Sequence, residues 1–325
     1  GPFRVTAFNQ GESVVFEKNP EYYDADAVSL DKLTFRLIPD PATALAAMEA
    51  GDVDGIESVP APEIPRLSVE SDAFMVVPAL GTTYAMFNPH QAPLDNLDVR
   101  KALSMAIDRE EINHTLFSES YPVARSAIAH TALGFRDQGD AYRHGRAEAE
   151  ALLDELGWVP GPDGIRVKDG QRLSFTINEA VPQPRSREVI TKIQEQLRRV
   201  GIEVHLNPGD NATQNADSLS YDNIQIRHTM VGRADYDVIK SMWHSDNRNE
   251  LLNGDKETRQ VHDQQLEDML QQIASLPAEE DRAEMTGRVQ DYLTEQAYIL
   301  PLFEEPQVYG AQPYVKGFQP DAIGR

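Results

Sequence analysis

The sequence predicts an α/β fold built from two domains. Strand-like runs alternate with helical patterns along the whole chain, and that order is typical of α/β proteins. The length of 325 residues corresponds to about two domains of common size. Apolar residues make up 40% of the chain, which is enough for packed cores, so global disorder is not expected.

The first sixty residues predict three strands, then a helix and a further short strand. The strand-like runs are Phe3–Phe8, Ser13–Lys18 and Leu33–Ile38. Asp40-Pro41 is typical of a helix start, because proline is tolerated in the first turn, and Gly51 suits the helix end. A short strand is then expected from Val53 to Val59.

The middle of the chain predicts one more strand and two amphipathic helices. Thr82–Phe87 has the composition of a strand. From Val99 onward, apolar residues recur at the spacing of one helical face, and the same pattern returns from Ala149. Gly157 follows the second pattern directly, where a left-handed residue ends many helices.

A strand–helix–strand unit follows, with the size of a parallel crossover. Leu173–Asn178 and Ile202–Leu206 are its strands, and a helix around Ile193 joins them. The remaining predicted elements are a polar surface loop at 208–220, a strand at Asn223–Ile226, helices near Leu266–Ile273 and Glu279–Gln296, and a strand at Ile299–Phe303. The order of elements therefore stays that of an α/β protein to the end of the chain.

Charge and composition exclude several classes of function. Acids outnumber bases by 53 to 30, which gives the chain a formal charge of −23. A surface this acidic repels nucleic-acid phosphates, so no nucleic-acid partner is expected, and it argues against a basic protein of the membrane surface. The chain has no cysteine, which excludes disulfides, thiol nucleophiles and cysteine metal sites. No run approaches about 18 consecutive apolar residues, so no transmembrane helix is predicted.

The common motifs of catalytic and cofactor sites do not occur in the sequence. It contains no G-x-S-x-G elbow, no phosphate-binding glycine loop and no helical His-Glu-x-x-His pair, so we expect no cofactor, no metal and no enzymatic activity. Asp52 and Asp54 stand close together, but the pair fits a solvated loop better than an acid–base site. A carboxylate-based hydrolase remains an alternative, and it requires two converging acids, one of them with a raised pKa.

Six segments, in order, resemble the peptide/nickel-binding family of extracellular solute-binding proteins of ABC importers. The most specific is Val99–Ile112, which is similar to the family's V-R-Q-A-[LI]-x-x-A-I-D-R-x-x-[IL] segment. The other five are Gly1–Val5, Val15–Tyr23, Ile38–Asp54, Ala151–Trp158 and Ile193–Val204. Because these segments are spread over nearly the whole chain, the resemblance concerns its overall architecture.

The resemblance implies a periplasmic-binding-protein-like fold of type II, cluster C, in which two hinged lobes close on a ligand. We expect a partial first lobe at residues 1–84, a complete second lobe at 85–298 and a return to the first lobe at 299–325, with the hinge near Tyr84 and Tyr298. Members of this family typically carry a signal peptide and a further region before the segment that Gly1–Val5 resembles. We therefore interpret the chain as a C-terminal fragment of such a protein.

By the same resemblance, the expected function is the capture of oligopeptides or dipeptides and their delivery to the permease subunits of an ABC importer. The expected location is extracytoplasmic, in the periplasm or on the cell surface as a lipoprotein. Such binding makes and breaks no bond, which agrees with the missing catalytic motifs. Oligosaccharide or nickel-chelate binding by the same fold is an alternative, and so is a surface receptor or chaperone-like domain without transport.

The strongest candidate for ligand binding is Asp235. Ala234-Asp235-Tyr236 matches the family's A-D-Y segment, whose acidic residue pairs with the amino terminus of a peptide. A carboxylate at the edge of a closed, low-dielectric cleft suits an ammonium better than a neutral sugar. Arg233 stands where the family usually has tryptophan before this segment, and we expect it, with Arg227, to face an anionic group such as a peptide carboxylate.

Further candidates lie on the predicted hinge strand and among the aromatic residues. Thr83 and Tyr84 belong to the strand that would line the cleft, and Tyr236 and Trp243 offer flat rings for stacking. The six candidate ligand-binding residues are therefore Asp235, Arg233, Tyr236, Thr83, Tyr84 and Trp243.

Overall fold

The chain divides into two structural units. The computed structural model describes residues 1–66, 74–117, 121–179, 185–207, 212–213, 224–232, 237–244 and 263–316, with the backbone only at 74–80, 237 and 307. The first unit comprises Gly1–Met75 and Val308–Phe318, and the second comprises Val76–Gln307. By this division, Tyr84 and Tyr298 both lie inside the second unit, and the lobe boundaries and hinge stay a prediction.

The first unit contains a small antiparallel sheet. Its strands are β1 (Phe3–Asn9), β2 (Ser13–Lys18) and β3 (Lys32–Arg36), paired in that order. Phe16 lies opposite Val5 on one side and Leu33 on the other, so these side chains share one apolar face. Phe8 and Phe35 are on the same face and are 69% and 56% exposed. Within the described residues, this face is therefore only partly covered.

The predicted helix follows the sheet as α1 (Pro41–Glu49). The Asp40 carboxylate caps it by accepting a hydrogen bond from the Thr43 amide at 2.8 Å. Pro41 occupies the first turn, where no amide donor is needed. Gly51 has a φ of 81° and supplies the left-handed residue at the helix end. Both ends of this helix are thus determined locally, as the sequence predicts.

The loop after α1 differs from its prediction. Of the strand expected at Val53–Val59, only β4 (Gly55–Ile56) forms. The Asp54 carboxylate accepts a hydrogen bond from the Tyr314 hydroxyl at 2.6 Å. Asp54 therefore holds two chain segments of the first unit together, in agreement with a structural loop.

The second unit is built around a mixed sheet. The remaining strands along the chain are β5 (Phe74–Phe87), β6 (Val159–Pro160), β7 (Arg166–Lys168), β8 (Gln171–Arg172), β9 (Ser174–Glu179), β10 (Glu203–Leu206), β11 (Ile226–Gly232) and β12 (Ile299–Ala311). Within the second unit the main order is β10-β9-β11-β5-β12, and β6-β7-β8 form a separate small sheet. β9 runs parallel to β10 and β11, which confirms the predicted strand–helix–strand unit, whereas β5 runs antiparallel to β11.

Helices accompany this sheet as the apolar periodicity predicts. They are α2 (Leu97–Ala106), α3 (Arg109–Phe117), α4 (Arg146–Glu155), α5 (Ser186–Arg199), α6 (Asp237–Trp243), α7 (Gln264–Ser275) and α8 (Glu279–Glu295). Gly157 and Gly201, with φ of 83° and 84°, end α4 and α5. In the described ranges, no helix has the length and apolar character needed to cross a bilayer.

One strand of the main sheet is displaced from its predicted position. The prediction at Asn223–Ile226 was wrong, because β11 begins at Ile226 and runs to Gly232. Two polar residues in the middle of this strand, His228 and Thr229, are 1% and 5% exposed. An apolar run in the sequence marks an interior strand. Because these two residues are polar although buried, they interrupt the run, and the strand beyond Ile226 is not predicted.

Two buried arginines connect the first helices of the second unit to the start of β12. In α2, Arg100 donates from Nε and Nη2 to the Gln296 carbonyl at 3.0 and 2.7 Å, and from Nη1 to the Leu94 carbonyl at 2.6 Å. Its guanidinium also lies over the Tyr298 ring, 5.2 Å from the centroid. Arg100 is 3% exposed, so these contacts replace the water that its charge would otherwise require.

Arg109 makes the second connection, at the start of α3. Its Nη1 donates to the carbonyl oxygens of Ala124 at 2.6 Å and Pro301 at 2.8 Å, and its Nη2 donates to that of Tyr142 at 2.9 Å. Burial lowers the pKa of Arg109 to about 10, so the guanidinium still carries its charge at neutral pH. Both arginines belong to the segment Val99–Ile112 that carries the most specific family resemblance.

We expect Arg109→Ala to lower the free energy of unfolding by roughly 3 kcal/mol, because three buried carbonyl groups lose their donor. Urea denaturation followed by circular dichroism measures this loss. Arg143→Ala is the matched control, since the Arg143 side chain is 66% exposed and makes a single 3.3 Å ion pair with Glu148. Equal effects of the two substitutions would contradict the structural role of Arg109.

Candidate functional site

The structure describes three of the six predicted ligand-binding residues. Thr83 and Tyr84 lie on β5, and Trp243 is the last residue of α6. Asp235, Arg233 and Tyr236 lie outside the described residues, and their roles stay predictions. All three described residues are almost fully buried, with 2%, 0% and 1% of their surface exposed.

The Thr83 side chain links β5 to the neighbouring strand β12 by hydrogen bonds. Its hydroxyl donates to the Phe303 carbonyl of β12 at 3.1 Å and accepts from the Phe303 amide at 3.2 Å. The side chain therefore uses both its donor and an acceptor lone pair within the sheet. This observation supports a structural role for Thr83, and its contact with a ligand stays a prediction.

Tyr84 and Trp243 pack against each other in the core of the second unit. Their ring centroids are 5.8 Å apart at an interplanar angle of 33°, and both belong to the cluster that contains Val238 and Ile239. Among the described residues, neither the Tyr84 hydroxyl nor the Trp243 indole nitrogen has a hydrogen-bond partner. Burial raises the pKa of Tyr84, and the nearby charge of Arg227 offsets this in part. The stacking role predicted for Trp243 is therefore met inside the protein by Tyr84, and stacking on a ligand stays a prediction.

A buried histidine lies on the face of β11 opposite to the one that carries Thr229, the partner of Tyr84 in the sheet. His228 Nδ1 is 2.7 Å from the Ser186 hydroxyl, at the start of α5. Burial lowers the pKa of His228 to about 4, so the ring is neutral at neutral pH. Sequence reasoning missed this contact because the two residues are far apart in the chain. A neutral, buried histidine held by one hydroxyl fits a role in packing α5 against the sheet.

Two consecutive glutamates on β12 differ in their hydrogen-bond partners. Glu304 is 2% exposed and accepts a hydrogen bond from the His130 amide at 3.0 Å, and its second oxygen contacts the His130 ring. Glu305 is partly buried and neither accepts a hydrogen bond from nor forms an ion pair with any residue in the described part of the chain. Burial raises the pKa of Glu305 to about 7. A carboxylate with a raised pKa and no partner is a common feature of functional sites, and sequence reasoning missed this one.

The two glutamates do not form the converging acid pair that the hydrolase alternative requires. Successive residues of a strand point to opposite faces, and the Glu304 carboxylate is already held by His130. Of Asp52 and Asp54, the pair considered from the sequence, Asp54 is already bound by Tyr314. In the described ranges, no cluster of three or more histidine or acidic side chains is arranged to hold a metal ion.

A cavity of about 290 Å³ lies near the start of α3, and it is a weaker candidate for the site. Its basic side chains are already engaged: Arg109 binds three carbonyls, Arg125 pairs with Asp137 at 2.8 Å, and Arg143 with Glu148 at 3.3 Å. A ligand at this position would have to displace these partners, and none of the three described candidates, Thr83, Tyr84 and Trp243, lines the cavity.

The sequence matches a known protein family over most of its length. The profile described as "Bacterial extracellular solute-binding proteins, family 5 Middle" covers residues 1–250. The oligopeptide-binding protein OppA of Bacillus subtilis (strain 168) is 28% identical over 244 residues, a match that covers 72% of this chain and 42% of OppA. The nickel-binding periplasmic protein of Escherichia coli (strain K12) is 28% identical over 224 residues, covering 63% of this chain and 40% of that protein. The matches thus span about two fifths of these relatives' length.

Solved structures with the same fold include proteins with two kinds of ligand. NikA from Brucella suis, in complex with Fe(III)-EDTA, has a TM-score of 0.85 at 23% identity, covering 100% of this chain and 66% of that chain. AppA from Bacillus subtilis, in complex with a nonapeptide, has a TM-score of 0.78 at 20% identity, covering 99% of this chain and 64% of that chain. These likenesses confirm the predicted fold class.

We expect Tyr84→Phe to keep or slightly raise the free energy of unfolding, because the hydroxyl that it removes is buried and has no partner among the described residues. Tyr142→Phe is the matched control: its hydroxyl is 2.6 Å from the Thr294 hydroxyl, so its loss should cost about 1 kcal/mol. Urea denaturation of both variants tests this order. A larger loss for Tyr84→Phe would show that its hydroxyl has a partner that stabilises the fold.

For Glu305→Gln we expect a weaker pH dependence of stability. The folded carboxyl keeps its proton up to about pH 7, whereas the unfolded one releases it near pH 4.3. Between these values the folded state binds more protons, so the free energy of unfolding falls as pH rises, and the substitution removes this contribution. Urea denaturation at about pH 5 and about pH 8 measures the difference.

The exposed Glu17 provides the control for this comparison. Glu17→Gln should keep the pH dependence of the parent protein. If Glu305→Gln lost as much stability between the two pH values as the parent, the raised pKa of Glu305 would be refuted.

Proposed function

This chain belongs to the bacterial extracellular solute-binding proteins of family 5, and from this we propose that it captures short peptides outside the cytoplasm for an ABC importer. The family match over residues 1–250 carries the proposal, because it includes Asp235 and the segment that resembles the peptide-binding A-D-Y motif. Relatives named as oligopeptide-binding, OppA and AppA of Bacillus subtilis, support the peptide assignment. Delivery to permease subunits is part of the same proposal.

The chemistry of the proposed contact is the pairing of an ammonium with a carboxylate. In this proposal, Asp235 receives the amino terminus of the peptide, and Arg233 receives an anionic group. Charged hydrogen bonds of this kind are stronger than neutral ones, and they gain further when water is excluded. The excess of acidic residues, with a net charge of −23, also favours the approach of cationic over anionic ligands.

Closure of the hinged lobes, expected from the sequence, belongs to the proposal as well. A ligand favours a closed state only to the extent that it binds this state more tightly than the open one. Such a cycle needs no catalytic group. The names of the relatives agree with this, since they describe binding proteins.

The second candidate ligand is a metal chelate. The nickel-binding relative from Escherichia coli, at 28% identity, favours it. In this alternative the metal would arrive already held by a small chelator, as iron is by EDTA in the complex of NikA from Brucella suis. The chelate would then be recognised by its charge and shape.

Isothermal titration calorimetry with trialanine, N-acetyl-trialanine, nickel–histidine and maltotriose distinguishes these ligands. We expect trialanine to bind, and we expect both N-acetylation and Asp235→Asn to weaken binding by about tenfold or more, since each removes one partner of the ion pair. Asp140→Asn, at an exposed position, is the matched control and should bind as the parent does.

The other outcomes each decide between the candidates. Binding of nickel–histidine without trialanine would replace the peptide by the chelate. Binding of maltotriose alone, unaffected by Asp235→Asn, would refute both.

A further inference from the structure

The position of Glu305 is determined by the pairing of β12 with the chain segment after α3. Val123 forms a bridge with Phe303, the Ala124 amide donates to the Leu302 carbonyl at 3.0 Å, and the Glu304 amide donates to the Pro122 carbonyl at 2.8 Å. In this antiparallel register, each step forward on β12 is a step back on the other segment. Tyr121 therefore lies opposite Glu305.

An aromatic cluster lies on the face of β12 that carries Glu305. Phe303 is two residues before Glu305, so both side chains are on the same face. The Phe303 ring is 5.2 Å from that of Phe117, which stacks on Tyr121 at 4.4 Å and an interplanar angle of 9°. Glu305 thus lies next to this cluster at Tyr121, which is 9% exposed, whereas Phe117 is 2% exposed and enclosed by the protein.

The electrostatics of this cluster agree with the register. Burial raises the pKa of Tyr121, and the charge of Glu305 raises it further. The nearby Arg185 does not neutralise Glu305: one of its Nη atoms donates to the Leu116 carbonyl, and its Nε is 3.6 Å from the Glu188 carboxylate. In the described part of the chain, the negative charge of Glu305 therefore has no counterion.

A half-buried carboxylate next to an aromatic ring is an arrangement that binds organic cations. The carboxylate accepts the N–H groups of an ammonium or guanidinium, and an adjacent ring attracts the charge through its quadrupole. The same chain uses the aromatic half of this arrangement internally, where Arg100 lies over Tyr298 and Arg109 over Tyr142. Partial burial strengthens both interactions, because water screens them less.

We propose that Glu305, with Tyr121 beside it, binds a cationic side chain of the ligand, so that peptides with lysine or arginine are preferred over neutral ones. This inference rests on the proposed function and adds a second charge to the recognition at Asp235. A peptide with a free amino terminus and one basic side chain carries one positive group for each of the two proposed contacts.

Two tripeptides of nearly equal shape test this preference: alanyl-lysyl-alanine and alanyl-norleucyl-alanine. Calorimetry at about pH 8 should show that the parent protein binds the lysine peptide about tenfold more tightly or better. Glu305→Gln should bind the two equally, while Glu17→Gln should keep the preference and Asp235→Asn should weaken both peptides to a similar extent. A thermal melt of each variant confirms that it is folded.

Proton release provides a readout that a purely structural role of Glu305 would not change. At about pH 7 the parent carboxyl is partly protonated, and a bound cation favours its ionised form. Binding of the lysine peptide should therefore release protons, detected as a dependence of the heat on the buffer. The norleucine peptide and the Glu305→Gln variant should lack this effect.

The outcomes separate the inference from the proposed function. Equal affinities of the parent for the two peptides, or a preference that survives Glu305→Gln, would overturn the inference and leave peptide capture intact. If neither peptide binds, peptide capture fails, and agmatine, a small guanidinium amine, decides the inference alone. Saturable binding of agmatine that Glu305→Gln abolishes upholds a cation site, and no binding of agmatine overturns it.

Discussion

The second unit depends on the way in which two buried guanidinium groups satisfy their hydrogen-bond donors. Arg100 and Arg109 are 3% and 9% exposed, so each must find acceptors within the protein. Their acceptors include the main-chain carbonyls of Gln296 and Pro301, on either side of the start of β12. Because carbonyl oxygens are fixed by the backbone, these contacts determine where β12 begins relative to α2 and α3.

Three successive residues of β12 connect the sheet to the candidate site. Phe303 joins the strand to β5 through the Thr83 hydroxyl. Glu304 points to the opposite face from its neighbours, where His130 binds it. Glu305 shares the face of Phe303 and lies opposite Tyr121, whose ring stacks on that of Phe117. The strand's alternation thus separates a glutamate that stabilises the fold from one whose charge is left for a ligand.

Features that neighbouring residues determine were predicted from the sequence, and features that distant residues determine were not. The limits of α1 and the ends of α4 and α5 were predicted because Asp40, Gly157 and Gly201 act on residues beside them. β11 was misplaced because His228 and Thr229 are polar yet buried, a property that depends on distant residues such as Ser186. Glu305 was missed for the same reason: its aromatic surroundings depend on the register with Tyr121, which is distant in the sequence.

The Glu305 carboxylate also weakens the binding of ligands that place a neutral group over it. If a neutral group covered Glu305, the ionised carboxylate would lose water without gaining a partner, and this desolvation would weaken binding. Selectivity in the proposed site therefore has two sources, the attraction of a cation and the cost of covering the charge with anything else. Protonation of Glu305 removes both the attraction of a cation and the cost of covering the charge. Because burial raises the pKa of Glu305 to about 7, the discrimination must decrease as the surroundings become acidic, whereas the pairing assigned to Asp235 does not depend on this proton.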